Sequence, residues 1–295
     1  MATPFKLILL LLLAYAPISS HAQQPERPSI LGIALVELQV SDIKKAKTFY
    51  EGLLGYRCTP VKKEGIGEAF SIQVNHRQTI RIYGGLPEGQ DERLLTTGFQ
   101  TTDAEAMRAY LKAKGIAVPA KLTNEAGTLS FTIQDPDGHP IQFIQRNNER
   151  PAATVQNHEG SPISGRILHV GLTIGAPATA NSFYETILGF SEIWRGGAND
   201  SVTHWINMRL PESTDYIEYM LLLNRKPNRQ QLGSLHHIAL LTPDIQKSLD
   251  TLQDRASRLG FKIAAPRIGR NNRWQLNLYD PDGTRIELME PFTVR

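Results

Sequence analysis

The chain has 295 residues, 41% of them hydrophobic and 21% charged, with 32 basic and 29 acidic side chains for a net charge of +3. At roughly 100–200 residues per domain this length suggests two domains of ordinary size. The near-average composition excludes a disordered polymer, a collagen and a multi-span membrane protein. The small basic excess makes no nucleic-acid footprint. Lys44, Lys45 and Lys47 fall on one candidate helix and read as a solvated face. The single cysteine, Cys58, forbids an intramolecular disulfide and excludes a thiolate zinc site. Any metal must be held by His, Asp and Glu, and eight histidines keep that route open.

Residues 1–22 read as an export signal. Lys6 supplies a positive start, Leu7 to Leu13 with the following Ala-Tyr-Ala make an apolar core, and Ser20-His21-Ala22 offers a small-x-small cleavage site. The apolar run is short for a bilayer span, and Pro17 interrupts its end. Position 23 is Gln rather than Cys, so no lipid-modified amino terminus is indicated. Lys6 is the only charge in this segment, so its removal takes the net charge from +3 to +2. The mature chain is expected to be secreted or periplasmic.

Residues 30–146 and 166–295 read as two copies of one domain. FYEGLLGY at 49–56 recurs as FYETILGF at 183–190, an offset of 134. QDPDGHPIQF at 134–143 recurs as YDPDGTRIEL at 279–288, an offset of 145. Residues 147–165, rich in Asn, Pro, Ser and Gly and without apolar periodicity, read as a linker.

Each copy divides again. LVELQVSDIKKAKTFYEGLLGY predicts a strand, a helix opened by Ser41 or Asp42, and a stop at Gly55. TTGFQTTDAEAMRAYLKAKGIAV repeats that order, as do ILHVGLTIGAPATANSFYETILGF and LHHIALLTPDIQKSLDTLQDRASRLGF. Alternating segments follow each helix: EAFSIQV and QTIRIYGG, LSFTIQD and PIQFIQ, THWINMRL and DYIEYMLLL, WQLNLYD and RIELME. The Asp-Pro-Asp-Gly tetrads at 135–138 and 280–283 predict hairpin turns, with Asp accepting local amides, Pro fixing φ and Gly taking positive φ. The fold class is therefore α+β, a βαβββ module used four times.

This order of elements, with FYxxxLG after the helix and Gln142 or Glu287 four residues past DPDG, resembles the vicinal oxygen chelate superfamily. That superfamily includes glyoxalase I, methylmalonyl-CoA epimerase, fosfomycin and bleomycin resistance proteins and extradiol ring-cleavage dioxygenases. The resemblance covers residues 30–146 and 166–291. It implies two cupped, mixed-sheet glyoxalase-like domains, and one divalent metal held by residues from the first and last strands of paired modules. His169 in HVGL, His237 in HIAL and Glu287 in RIEL occupy those positions in the second copy. Two imidazoles and a carboxylate form a facial triad suited to Fe, Mn, Ni or Zn. Glu218 in DYIEYM is a fourth candidate, since His169 to Glu218 is 49 residues and His237 to Glu287 is 50. It stands where a glyoxalase-like site has its second carboxylate.

The remaining histidines carry less. His236 precedes His237 and is expected on the opposite face, and His204 is expected in a cavity wall. His76, His139 and His158 sit in turn or linker contexts; Trp205, Tyr219 and Trp274 read as core or cavity lining. In the first copy the landmarks align Leu35 with His169, Thr96 with His237, Gln142 with Glu287 and approximately Arg81 with Glu218. That set cannot assemble a divalent site, so the first domain is expected to be degenerate and metal-free, an arrangement that looks like the extradiol dioxygenases. Those enzymes, however, have an acid–base His in module three and a Tyr shortly before the final turn. Here module three reads Thr214-Asp215-Tyr216-Ile217, the tyrosine position is Asn277, and Tyr279 is expected on the other face.

The expected function is a divalent-metal-dependent enzyme moving a proton, as an isomerase, lyase or epimerase, with Glu287 or Glu218 as base. The alternatives are an extradiol-type dioxygenase and a non-catalytic drug-binding resistance protein. The expected partner is a small-molecule substrate, with no nucleic acid, no stable membrane association after the signal is removed, and room for a homo-oligomer. Intact mass of the exported protein is expected to show a start at Gln23; retention of residues 1–22 would contradict the export reading.

Overall fold

The computed structural model describes residues 25–61, 67–146, 161–223 and 226–294. The expected signal segment, His158 and most of the expected linker lie outside the described residues. The first module runs β1 (Ile30–Gln39), α1 (Ile43–Lys47), β2 (Cys58–Val61), β3 (Ala69–Gln73) and β4 (Thr79–Tyr83). The second runs β5 (Leu94–Thr101), α2 (Ala104–Ala113), β6 (Thr123–Glu125), β7 (Thr128–Gln134) and β8 (Pro140–Gln145). The third is β9 (Ile167–Ile174), α3 (Pro177–Asn181), β10 (Ser191–Gly196), β11 (Trp205–Arg209) and β12 (Tyr216–Leu221). A short helix α4 (Arg229–Leu235) leads into β13 (Ile238–Leu241), α5 (Ile245–Leu259), β14 (Arg267–Ile268), β15 (Trp274–Tyr279) and β16 (Arg285–Met289).

The four modules pair into two curled eight-stranded sheets, ordered β2-β3-β4-β1-β5-β8-β7-β6 and β10-β11-β12-β9-β13-β16-β15-β14. In each sheet the opening strands of its two modules lie antiparallel at the centre, and each is flanked by the closing strand of its own module in parallel. Central strands covered on both faces read as continuous apolar runs, and all eight residues of β9 are buried.

Asp42, Asp103 and Asp244 cap α1, α2 and α5 by accepting amides of the first turn. Gly55 and Gly115 take positive φ where the sequence predicts a stop. After α1 and again after α3, the chain widens into a π-helical turn, Thr48–Leu53 and Ser182–Ile187. Both turns contain the FY pair. The extra residue per turn lets neighbouring Phe49 and Tyr50, and Phe183 and Tyr184, all bury.

Those buried tyrosines cross between the halves. Tyr50 donates to Asp280 Oδ2 at 3.3 Å, and Tyr184 donates to Asp135 Oδ2 at 2.8 Å. Each acceptor is the first residue of the other half's DPDG turn, whose Oδ1 already accepts two turn amides. Ser41 N to Asp282 and Gly175 N to Asp137, both 2.9 Å, repeat the exchange beside them. The apolar core is likewise continuous between the halves, as in the Phe49–Phe261 and Phe99–Phe190 ring contacts.

The two tetrads differ at the fourth position after the first Asp. Burial works to raise the Asp135 carboxyl, but the hydrogen-bonded His139 beside it brings it below its ordinary value. Thr284 stands at the His139 position, and burial pushes the Asp280 carboxyl from 3.8 up to about 6. A carboxyl raised on folding contributes stability that is fully present below pH 3.8 and lost as pH rises through about 6. Asp280→Asn holds the neutral state at every pH. Thermal melts from pH 4 to 7 are expected to show the variant gaining on the native chain up to about pH 6, then a constant gap of about 3 kcal/mol; parallel curves would contradict the assignment.

Candidate metal centre

His169 stands directly after a β-bulge. In the β9–β13 ladder Ala239 faces His169 and Leu240 faces Ile167, skipping Leu168. Unbroken register with β12 puts His169 opposite Tyr216 on the Glu218 face, where its imidazole stacks on Tyr216 at 4.5 Å and 27°. His237 enters from the end of α4, and its ring lies over Gly171, where any Cβ would overlap it. Glu218 on β12 and Glu287 on β16 lie on the strands that flank these two histidines in parallel.

The four side chains converge. His169 Nε2 and His237 Nε2 are 3.0 Å apart. A Glu218 oxygen is 3.3 Å from His237 Nε2 and 3.8 Å from His169 Nε2, and a Glu287 oxygen is 3.6 Å and 3.8 Å from the same atoms. The tightest three-residue group is His169, Glu218 and His237, with Glu287 completing it from the far strand. Glu218 is thus as close to the histidines as Glu287.

Electrostatics fits a cation. Burial, helped by Arg285, holds His237 well below the ordinary histidine range, and burial with His237, Arg285 and Arg273 does the same to His169 against the pull of Glu218. Both rings are neutral and keep a nitrogen lone pair. Burial pushes Glu287 up to about 7, with Glu218 adding to it against Arg285 and Arg267. Among the described residues no N–H or O–H group outside the two imidazoles reaches either carboxylate. Two desolvated acids facing neutral nitrogens are a costly arrangement alone and a matched donor set for a divalent ion. His237 Nδ1 lies 3.0 Å from the Leu235 carbonyl and 2.8 Å from Arg285 Nη2; donation to the carbonyl gives the tautomer that leaves Nε2 free.

Two residues beside the cluster were not singled out as site residues from sequence. Asn207 pairs across the ladder with Glu218, and Asn277 with Glu287. Each carries a buried amide oxygen without a hydrogen-bond donor. Their spacing was the available signal, since Asn stands eleven residues before one Glu and ten before the other. Tyr279 corrects the expectation: it is two residues from Asn277, so it shares that face, opposite Arg285 and half exposed at the rim. Tyr219 is core on the helix side. His236 turns away, bonding Glu92 at 2.6 Å and Thr173 at 2.9 Å, and Thr173 continues to His139.

One strand step from Glu218, a cavity of about 460 Å3 opens between β11, β12 and α4. Trp205, Met220, Leu221, Leu222 and Leu235 give it apolar walls, with His204, Gln230, Gln231 and Ser234 as polar points. An apolar cleft with a few converging polar groups is the usual form of a small-molecule site.

The first sheet keeps the geometry and changes the chemistry. The same bulge occurs at Ala34, and strand register sets Leu35, Thr96, Gln142 and Arg81 at the positions of the four clustered residues. The Arg81 guanidinium is paired with Glu37 at 3.2 Å, and Tyr83 donates to Glu37 at 2.9 Å.

A family model described as the Glyoxalase/Bleomycin resistance protein/Dioxygenase superfamily matches residues 32–143 and 166–288. The chain belongs to this superfamily. A curated Mycobacterium bovis protein named "Putative glyoxylase CFP32" is 27% identical over 161 residues, 53% of this chain. That match spans only 59% of the relative's length. Among solved structures, homoprotocatechuate 2,3-dioxygenase from Arthrobacter globiformis superposes with a TM-score of 0.68 at 20% identity, covering 90% of this chain and 80% of that one. The 2,3-dioxygenase LapB from Pseudomonas sp. KL28 gives 0.66 at 16% identity, covering 90% and 93%. At such identities the likeness is one of fold. Among the described residues no helix is long and apolar enough to cross a membrane.

Metal analysis of the purified chain is expected to approach one divalent ion per chain. His237→Ala should abolish binding, and Gly171→Ala should weaken it at least tenfold by displacing the His237 ring. Gln142→Ala in the first cup should change nothing; two ions per chain would contradict the assignment.

Proposed function

We propose that this chain is a divalent-metal-dependent enzyme that moves a proton on a small substrate chelated through adjacent oxygens. His169, His237, Glu287 and Glu218 would hold the ion, of the Fe, Mn, Ni or Zn class. Glu218 carries the reading: a second carboxylate, 3.3 Å from His237 Nε2, stands inside the cluster rather than on the outer face of its strand. When bound, the ion would polarise the substrate's adjacent oxygens and acidify the neighbouring C–H.

The chain's own groups do the rest. Glu218, with 11% of its side chain exposed against 3% for Glu287, is the carboxylate more open to the cup. It takes the proton from carbon and returns it to the adjacent carbon. Asn207 and Asn277 offer amide oxygens to substrate hydroxyls, and the Tyr216 ring holds His169 in place. The apolar cavity beside Glu218 takes the hydrocarbon part of the substrate. We further propose, from residues 1–22, that the enzyme works as an exported protein, where glutathione adducts, chiefly cytoplasmic, are out of reach.

A second reading is extradiol-type ring cleavage, favoured by the pairing of a cluster-free first cup with a cluster-bearing second one and by the dioxygenase fold of the structural neighbours. Three protein ligands suffice there, and Glu218 is dispensable. Glu218→Gln separates the two. Under proton transfer it should cut turnover by a factor on the order of 10²–10⁴ while metal binding falls less. Oxygen uptake on a catechol panel at the native rate, with Glu218→Gln unimpaired, would overturn the first reading in favour of the second.

A further inference from the structure

The second cup has two unlike walls. The side bounded by β11, β12 and α4 is the apolar cavity. The opposite side, built by β14 to β16, carries Arg267, Arg273 and Arg285. Strand register puts Arg285 and Arg267 on the Glu287 face, and Arg273 immediately precedes β15. Arg285 is two residues before Glu287, Arg267 faces Gln275, and Gln275 is two residues before Asn277, which itself faces Glu287. Arg273 precedes Gln275 by two. Contact agrees with register, for Arg285 Nη2 is 2.8 Å from His237 Nδ1. The guanidinium of Arg273 helps to depress His169, and that of Arg267 helps to restrain Glu287.

Among the described residues no carboxylate lies within 4.0 Å of any of these cations, and the Glu287 carboxylate makes its close contacts to the two imidazoles instead. Arg285 Nε is buried without an acceptor. The one partner of its Nη2 is His237 Nδ1, which also lies 3.0 Å from the Leu235 carbonyl oxygen. Arg285 Nη2 thus competes with that carbonyl for a single ring nitrogen, and its Nε has no acceptor among the described residues. A guanidinium left so is built to receive a planar or tetrahedral oxyanion on its fork of N–H groups.

We propose that this wall is an anion subsite in which Arg285 and Arg273, with Arg267 at the rim, hold an oxyanion of the substrate while its hydrocarbon part lies against Trp205 and Met220. The substrate is then an amphipathic organic anion whose charged group is separate from the oxygens facing the cluster. This deepens the reading above, since those oxygens are the ones the four-residue cluster would engage; the subsite itself stands without a cation.

The test uses the full mature chain, before and after chelator treatment. Its tryptophan fluorescence, with Trp205 in the cavity wall, is followed during titration with 3-phenylpropanoate, phenyl phosphate and the neutral 3-phenylpropanamide. The two anions distinguish a carboxylate from a phosphate preference. At least one anion should bind saturably in both states and at least tenfold more tightly than the amide. Arg285→Gln and Arg273→Gln should each erase most of that difference and leave the amide unchanged, with circular dichroism confirming the fold. Arg285→Lys should retain part of it, and Arg270→Gln, at an exposed pair with Asp200, all of it. No saturable anion binding, equal binding of anion and amide, or arginine variants that bind like the native chain would overturn the proposal. Failure to find stoichiometric metal would sink the cluster reading and leave these results standing, so the two fail separately.

Discussion

Everything in the site follows from the antiparallel pairing of β9 with β13 at the middle of the second sheet. That pairing brings the opening strands of two modules side by side, so His169 and His237, 68 residues apart, meet with their Nε2 atoms 3.0 Å from one another. Parallel pairing on either flank then adds one strand from each module, and each contributes a carboxylate at the same level. The cluster is in this sense a property of the topology: four positions related by a local two-fold, filled by two imidazoles and two acids. The missing Cβ at Gly171 is the local adjustment that lets the His237 ring fit.

The first sheet shows how little of this belongs to the backbone. It has the same strand order, the same bulge and the same register, and its four positions hold Leu35, Thr96, Gln142 and Arg81. With no convergent donors, the cup fills itself with an internal ion pair, the Arg81 guanidinium held by Glu37 and Glu37 in turn by Tyr83. A side-chain cation balances an acid in one cup. In the other, among the described residues, two acids face neutral imidazoles and no other hydrogen-bond donor.

The four modules were legible in the sequence because their landmarks are physical necessities repeated in order: an Asp that caps a helix, an FY pair that fills the core, an Asp-Pro-Asp-Gly turn. The convergence of His169, His237, Glu287 and Glu218 was legible because equal spacing between equivalent strands places residues at equal depth. Less was readable at the edges. Strands β2, β6, β10 and β14 escape the sequence pattern because they are largely exposed and lack the alternation that marks a half-buried strand; all of Thr123–Glu125 and both residues of β14 are exposed. The π-helical turns were not readable either, since the widening depends on two adjacent aromatic rings finding room together. The arginine wall depends on register between β14, β15 and β16, which no count along the chain supplies.

The crossing tyrosines have a consequence of another kind. Each half offers its own Asp-Pro-Asp-Gly carboxylate to a hydroxyl that only the other half possesses, and the core is shared in the same way. Two domains joined by a linker would ordinarily melt one after the other. Here the repeat has been wired so that opening either half strands a buried acid in the other. The duplicated chain is therefore expected to unfold as one cooperative unit, with each half supporting the other through contacts it receives in return.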